Sequence, residues 1–523
     1  MNDTHYAITV FVALLLVASA VAMAAKYVRV PYTLLLVMVG LIISPMHFLP
    51  PVHISPDLIL LIFLPALLFE AAWNLKLNHL RENLLPILML AVAGVLLSVG
   101  VIGAVLHFGI ALPWRLSLLF GAMISATDPV SVLALFKKLN LPAGISTVVE
   151  GESLFNDGTS VVVFRILAGI AVGSTADSSG DLVWSSLREF GLVVFGGLAV
   201  GAGVGIIASW LTSYFDDHLL EITLTTIAAY GSFLLAEGLH VSPVIAILIA
   251  GLIIGNYGRR TGMSPTTQVS VNAFWEYAAF VVNSLVFLLI GLEIQVGMLI
   301  ANAWSIAWAV LAMFAARAVA VYGLIPLVNR RTERISWRWQ TVLFWGGLRG
   351  SLSIALVLSL PTALAGRSQL VVMVFGAVIF SLLAQGLTIG PLLKGLKLIQ
   401  AAAGAKASEI LQGQLLVETA AKAELDHLRK RGMISERVHQ KVAEVLQQSQ
   451  DELRERMARS EVTDHTLEQQ QLQRLHRHLI NIKKARLTEL LREGMLSEGA
   501  YAEINERLNQ DFASAEHEPF ESE

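Results

Sequence analysis

The sequence predicts an all-α polytopic membrane protein of about thirteen transmembrane helices, followed by a polar helical tail. Three observations predict it. The 523-residue chain is 55% hydrophobic, a composition foreign to soluble globules. Apolar runs of roughly 20 residues, the length that crosses the hydrocarbon core, recur between short polar or Pro/Gly breaks. Charges are sparse in the first three-quarters of the chain and dense after it, so the net charge of −3 hides a division. Residues 1–400 read as a transmembrane domain and 401–523 as a separate tail.

The apolar runs lie near 6–25, 31–48, 57–74, 84–108, 115–137, 144–171, 188–213, 219–237, 242–256, 271–294, 301–328, 339–361 and 368–394. The first follows Met1-Asn2-Asp3-Thr4-His5, which lacks the basic start of a signal peptide, so it reads as a retained span. One set of alternate loops carries Lys26, Arg29, Lys76, Arg81, Lys137, Lys138, Arg259, Arg260, Arg330, Arg331, Arg334 and Arg338. The other set has Arg115, Arg188 and Arg367, with Asp177 and Asp181 in its longest loop. Basic loops stay in the cytoplasm, which predicts an external N-terminus and a cytoplasmic tail. The chain has no cysteine, which excludes a disulfide framework or thiolate metal site. It also has no phosphate-binding GxxxxGK[ST] loop.

Two spans carry sequences that interrupt a helix. Ser125-Ala126-Thr127-Asp128-Pro129 in the fifth admits either a Pro kink or a helix that stops near Ala126 and restarts at Asp128, since Asp caps and Pro suits a first turn. Gly346-Gly347-Leu348-Arg349-Gly350 in the twelfth sets a charge among three glycines at bilayer depth. Spans one to six and eight to thirteen align as two six-helix halves, the interrupted helix fifth in each. That layout predicts inverted repeats and points to a secondary transporter's binding site. Little residue identity links the halves.

Asp157 is the acid this architecture singles out. It lies in the sixth span within Glu150-Gly151-Glu152-Ser153-Leu154-Phe155-Asn156-Asp157-Gly158-Thr159-Ser160, and a carboxylate at that depth is costly unless paired, hydrated or protonated. On a helix Ser153 and Asp157 share one face, and Glu152 and Asn156 the adjacent one. The first pair suits a passing ion and the second a structural partner.

With Ala126–Pro129, Gly151–Gly158 and Gly346–Gly350 in this order, spacing and depth, residues 6–395 resemble the bacterial sodium/proton antiporters of the monovalent cation:proton antiporter 1 family. The likeness is to its Asn-Asp branch, which is related to the animal sodium/proton exchangers. Phe69-Glu70-Ala71-Ala72 matches more weakly. The resemblance implies that Asp157 binds either cation or proton, that Ser153 and the Thr127 carbonyl add ligands, and that Glu70 supplements the site. It implies that Glu152 and Asn156 partner Arg349, that Asp128 caps a half-helix, and that the protein is a homodimer with a core domain moving against a dimerisation domain. It further implies residence in the plasma (bacterial inner) membrane.

The chemistry stands beside the resemblance. Na+ and Li+ favour carboxylate, hydroxyl and carbonyl oxygens, and a carboxyl removed from water holds a proton more tightly. Competition for one carboxylate is then an exchange mechanism without a cofactor or enzymatic step. With Asn156 rather than a second Asp beside Asp157, electroneutral exchange is expected. K+/H+ exchange uses the same ligand chemistry, and a cation channel is the reading from another class. Glu70 is open to a ligand role or to a place at its span's end near Trp73 and Lys76. Arg165 is open between neutralising a carboxylate and reaching the surface, and Arg317 is expected in a structural pair or a helix-end role rather than in ion contact. His47, His53, His107, His218 and His240 fall near span ends, where solvation is the expectation.

The tail shows helical periodicity over 420–428, 438–453 and 467–491. A repeat at a spacing of 62 matches Leu425, Leu428, Gly432, Met433, Ser435, Glu436 and Leu446 with Leu487, Leu490, Gly494, Met495, Ser497, Glu498 and Leu508. In each copy Gly would end one helix and Ser cap the next, forming a hairpin. Helix packing within or between tails and a regulatory module are both open. Interspersed acids and bases exclude a nucleic-acid partner.

Overall fold

The computed structural model describes residues 3–27, 31–44, 56–139, 141–172, 179–214, 217–294, 296–331, 335–431 and 433–460, with scattered residues between 483 and 504. Arg29, His47, His53, Asp177, Arg334, Gly432, Gly494, Met495, Glu498, Leu508 and most of 467–491 lie outside the described residues. The chain divides into two compact units, Met1–Ile399 and Gln400–Glu523.

In the first unit the described elements are helices. The longer ones are α1 (Asp3–Ala25), α2 (Tyr32–Ile43), α3 (Leu58–Asn74), α4 (Leu84–Ile110), α5 (Trp114–Ser125), α6 (Val130–Leu139), α7 (Ala143–Val172) and α8 (Ser179–Thr212). There follow α9 (His218–Gly238), α10 (Pro243–Gly258), α11 (Pro265–Glu293), α12 (Ala303–Val328), α13 (Trp337–Trp345), α14 (Ser351–Leu358) and α15 (Arg367–Gly395). Among the described residues nine helical segments have the length and apolarity to cross a membrane, and α2, α3 and α10 are shorter apolar helices.

Local chemistry sets several starts. The Asp217 carboxylate accepts from the N–H groups of Leu219 and Leu220 at 2.8 and 3.1 Å to open α9. Ser242 and Ser264 cap α10 and α11, each followed by Pro in the first turn, where a missing N–H costs nothing. The Ser264 cap starts α11 before the expected 271, because polar residues such as Gln268 fit a helix end as readily as a loop. His107 is held in place, its Nδ1 2.9 Å from the Leu112 carbonyl and its ring stacked on Trp114 at 4.4 Å.

The closest-packed helices fall into two groups. One contains α1, α2, α3, α8, α9, α10 and α11; the other contains α4, α5, α6, α7, α12, α13, α14 and α15. Contact between groups is sparser, mostly where α3, α8 and α10 meet α7. Within the first group α2 crosses α11 at Gly40 and Gly291, where a Cβ on Gly40 would lie 2.9 Å from the Gly291 Cα. Ser44 Oγ donates to the Leu292 carbonyl at 2.8 Å beside this crossing.

The second unit contains α16 (Leu398–Lys430), which runs into it from Leu398, and α17 (Glu436–Ser460). They run antiparallel: Lys422 Nζ donates to Gln447 Oε1 at 2.5 Å and Ser449 Oγ to Glu418 Oε1 at 3.1 Å. Ser435 Oγ accepts from the Val438 N–H, and Ser497 Oγ from the Ala500 N–H, at 3.4 and 3.3 Å. Leu425 and Leu487, equivalent in the repeat, are both buried. The buried His439 places Nε2 2.7 Å from Asp426 Oδ1.

Two outcomes are expected. Gly291→Val forces α2 and α11 apart and lowers stability by about 1–3 kcal/mol, read as a fall in the thermal unfolding midpoint; an unchanged midpoint would refute the close crossing. The hydrogen bond from His439, followed by the charges of His439, Arg429 and Lys430, holds the Asp426 carboxyl below the usual carboxylate range. A depressed carboxyl stabilises above its unfolded pKa and loses that contribution as pH falls through the lower folded value. His439→Ala therefore speeds proteolysis of the tail in the full-length protein at neutral pH. The gap from wild type closes in acid, and a gap independent of pH would rule the pair out.

Candidate functional site

Both interruptions are real breaks. Residues 126–129 are non-helical between α5 and α6, and 346–350 between α13 and α14. Breaking a helix orphans backbone groups, which are costly to leave unpaired away from water. Here each break supplies partners to the other. The Asp128 N–H donates to the Leu348 carbonyl at 2.8 Å, and Arg349 Nη1 donates to the carbonyls of Ser125 and Ala126 at 2.8 and 3.1 Å. A guanidinium at the end of α5 also complements the negative pole of that helix. Gly350 lets the strands meet, since a Cβ there would lie 2.5 Å from the Asp128 Cβ. The Asp128 Oδ1 accepts from the Val130 N–H at 3.0 Å and so caps α6. Ser381, in a π-turn of α15, accepts from the Arg349 N–H at 2.9 Å.

The middle of α7 packs against the first break. Asn156 grips Thr127 twice: its Nδ2 donates to Thr127 Oγ1 at 2.7 Å and its Oδ1 accepts from the Thr127 N–H at 3.3 Å. Ser153 Oγ donates to the Thr127 carbonyl. All three residues are buried. Asp157, one turn beyond Ser153, is half-buried; its Oδ1 is buried and accepts no hydrogen bond among the described residues. The Asp128 carboxylate is close enough to act on it electrostatically. Thr127, Asp128, Ser153, Asn156 and Asp157 thus gather at one place.

Glu70 shares no hydrogen bond with them among the described residues. Its Oε1 accepts from Asn74 Nδ2 at 2.7 Å on its own helix, and the charges acting on it are those of Lys137, Glu150 and Glu276. Arg165 is exposed on α7.

The expected partnership of Glu152 and Asn156 with Arg349 is corrected. Glu152 pairs in bidentate fashion with Arg317, Nη1 to Oε1 and Nη2 to Oε2, the second at 3.1 Å. Arg317 also donates through Nε and Nη2 to the Leu343 carbonyl at 3.2 and 2.7 Å. Arg349 donates instead to carbonyls of α5 and Asn156 bonds to Thr127, while Glu152 acts on Arg349 through its charge rather than a hydrogen bond. The sequence carries a signal for this pairing: Arg317 is the sole charged residue of α12, and a lone charge in an apolar span requires a partner. The carbonyls of Ser125, Leu343 and Leu348 carry no such signal, because every residue has one.

The family model described as "Sodium/hydrogen exchanger, transmembrane" matches residues 11–395. The Na(+)/H(+) antiporter ApNhaP of Aphanothece halophytica is 47% identical over 374 residues, 71% of this chain and 70% of the relative. The Na(+)/H(+) antiporter NhaG of Bacillus atrophaeus is 38% identical over 506 residues, covering 95% of each. The solved structure of the sodium proton antiporter MjNhaP1 from Methanocaldococcus jannaschii aligns with a TM-score of 0.62 at 20% identity, over 76% of this chain and 100% of that one, a likeness of fold.

Removing one member of a buried ion pair strands the other, at a cost of about 3–5 kcal/mol, whereas replacing both by apolar groups is often tolerated. Glu152→Ala should therefore depress the unfolding midpoint strongly, and Glu152→Leu with Arg317→Met should recover most of the loss. A double variant as unstable as the single one would refute the pairing.

Proposed function

The chain belongs to the sodium/hydrogen exchanger family, and from that premise we propose how it exchanges Na+ for H+: the two ions compete for the Asp157 carboxylate. The observation that carries this reading is the buried Asp157 Oδ1 without a hydrogen bond among the described residues. A buried carboxylate oxygen of that kind is completed by a proton or by a cation. Na+ or Li+ would draw further ligands from Ser153 Oγ and the Thr127 carbonyl, which face each other beside it. Glu70 would gather cations on the approach from the Lys76 end of α3. Cation and proton are substrates of a transporter, and the exchange needs no cofactor.

Charge supports one ion for one proton. Asp128, Glu152 and Asp157 against Arg317 and Arg349 leave one net negative charge when all are ionised. A single proton or a single Na+ offsets it, so the loaded site is the same to the membrane field in both forms and exchange is electroneutral.

The architecture we propose has thirteen spans, with α5/α6 and α13/α14 each counted as one, in two inverted six-helix halves. The N-terminus is outside and the 401–523 tail is cytoplasmic, as the basic residues at alternate loops require. The tail serves regulation or tail-to-tail packing. Outward-facing apolar side chains such as Leu16, Phe195, Ile227 and Trp304, 68, 71, 61 and 71% exposed, suit lipid of the bacterial inner membrane or a second protomer of a homodimer.

The test is collapse of an imposed pH gradient in proteoliposomes. Na+ and Li+ should dissipate it in the wild type, Asp157→Asn should lose the activity, and Ser153→Ala should raise the apparent KM for Na+ severalfold. The rate should be indifferent to a clamped membrane potential. Dissipation by K+ alone would change the substrate and keep the site; full activity in Asp157→Asn would remove Asp157 from the mechanism.

A further inference from the structure

A buried hydrogen bond joins the two helix groups beside the first break. Thr33 Oγ1 and Ser131 Oγ are 2.5 Å apart, and the two residues are 1% and 5% exposed. Thr33 is in the first turn of α2; Ser131 is the second residue of α6, three beyond Asp128. The helices belong to different groups, and each has ties to its own. The α2 helix is held on α11 by the Gly40–Gly291 crossing, by Ser44 on the Leu292 carbonyl, and by the Tyr32 ring stacked on Phe280 at 5.7 Å. The α6 helix is tied through Asp128 to the Leu348 carbonyl of the second break.

We propose that the Thr33–Ser131 hydrogen bond is a latch that holds the two helix groups in one access state and opens in every transport cycle. This rests on the reading that Asp157 is served from both sides by displacement of one group against the other, the usual form of alternating access around a fixed site. A hydroxyl pair withdrawn from water has no solvent to replace the partner it loses. Sliding of α6 along α2 must therefore break the bond before new contacts form. Both residues are positioning residues: they touch neither ion, and they act by weighting one state of the cycle.

The chain contains no cysteine, so Thr33→Cys with Ser131→Cys carries only the two thiols of interest. In proteoliposomes the reduced double variant should exchange Na+ for H+. Oxidation, or bridging by Hg(II), should cut exchange by roughly tenfold or more, since a closed gate stops turnover, and a reducing thiol should restore it. The single variants should not respond. Thr33→Val and Ser131→Ala should raise kcat severalfold with little change in KM for Na+, the two effects should not add, and Thr33→Ser should restore the wild-type rate. A cross-linked protein that turns over at the uncross-linked rate, thiols that fail to cross-link, or Val and Ala variants with wild-type kcat would each overturn the latch. Failure of the Asp157 reading shows separately, as exchange that survives Asp157→Asn.

Discussion

Main chain that leaves both water and helix must find hydrogen-bond partners, and at 126–129 and 346–350 each break finds them in the other. The Asp128 N–H on the Leu348 carbonyl, and Arg349 on the carbonyls of Ser125 and Ala126, turn two unstable interruptions into one stable crossing. Much else follows from that crossing. It sets Thr127 against α7, so that Asn156 can clamp it and Ser153 can reach its carbonyl. It directs the start of α6, with its positive pole, at the Asp128 side chain, and sets Gly350 before α14 against it. It also leaves Asp157 one turn from a Ser153 hydroxyl and a Thr127 carbonyl already oriented on each other.

The buried charges divide the labour. Arg317 neutralises Glu152 and takes the Leu343 carbonyl as well, so this pair joins α7 to α12 and to the end of α13 as a rigid brace. Gly347 makes room for it, since a Cβ there would lie 2.8 Å from Arg317 Nε. Arg349 has no carboxylate hydrogen-bonded to it among the described residues, and it serves the backbone instead. Of the acids facing the break, Asp128 caps a helix start and Asp157 keeps an Oδ1 that accepts no hydrogen bond among the described residues.

Much of this was legible in the letters, because membrane burial makes polar residues conspicuous. Asp128-Pro129 and the glycines of 346–350 marked the breaks, and Asp157 stood out as an acid at bilayer depth. The partnership of Glu152 was misassigned because two buried arginines were available and linear order does not say which one reaches it; helix packing chose Arg317. The bond of Glu70 to Asn74 on its own helix was equally hidden, being one of several a flexible side chain could make. Ser381 and the carbonyls of Leu343 and Leu348 were invisible for a different reason: a backbone acceptor has no letter. In the tail, the 62-residue repeat located Ser435 and Ser497 at helix starts, yet the pairing of His439 with Asp426 depends on hairpin register alone.

Arg349 hydrogen-bonds to carbonyls rather than to side chains, and this has a consequence for how the protein can drift. The acceptors on Ser125 and Ala126 persist whatever residues occupy those positions, provided that the backbone keeps its course. The partners of Arg349 are therefore immune to most point mutations, whereas Arg349 itself is not: its Nη1 alone serves both oxygens, and a side chain without a donor at that point would strand them. Glu152 and Arg317 differ, for a change in either strands the other. The two buried arginines thus impose unequal genetic constraints, one confined to a single codon and the other shared between two.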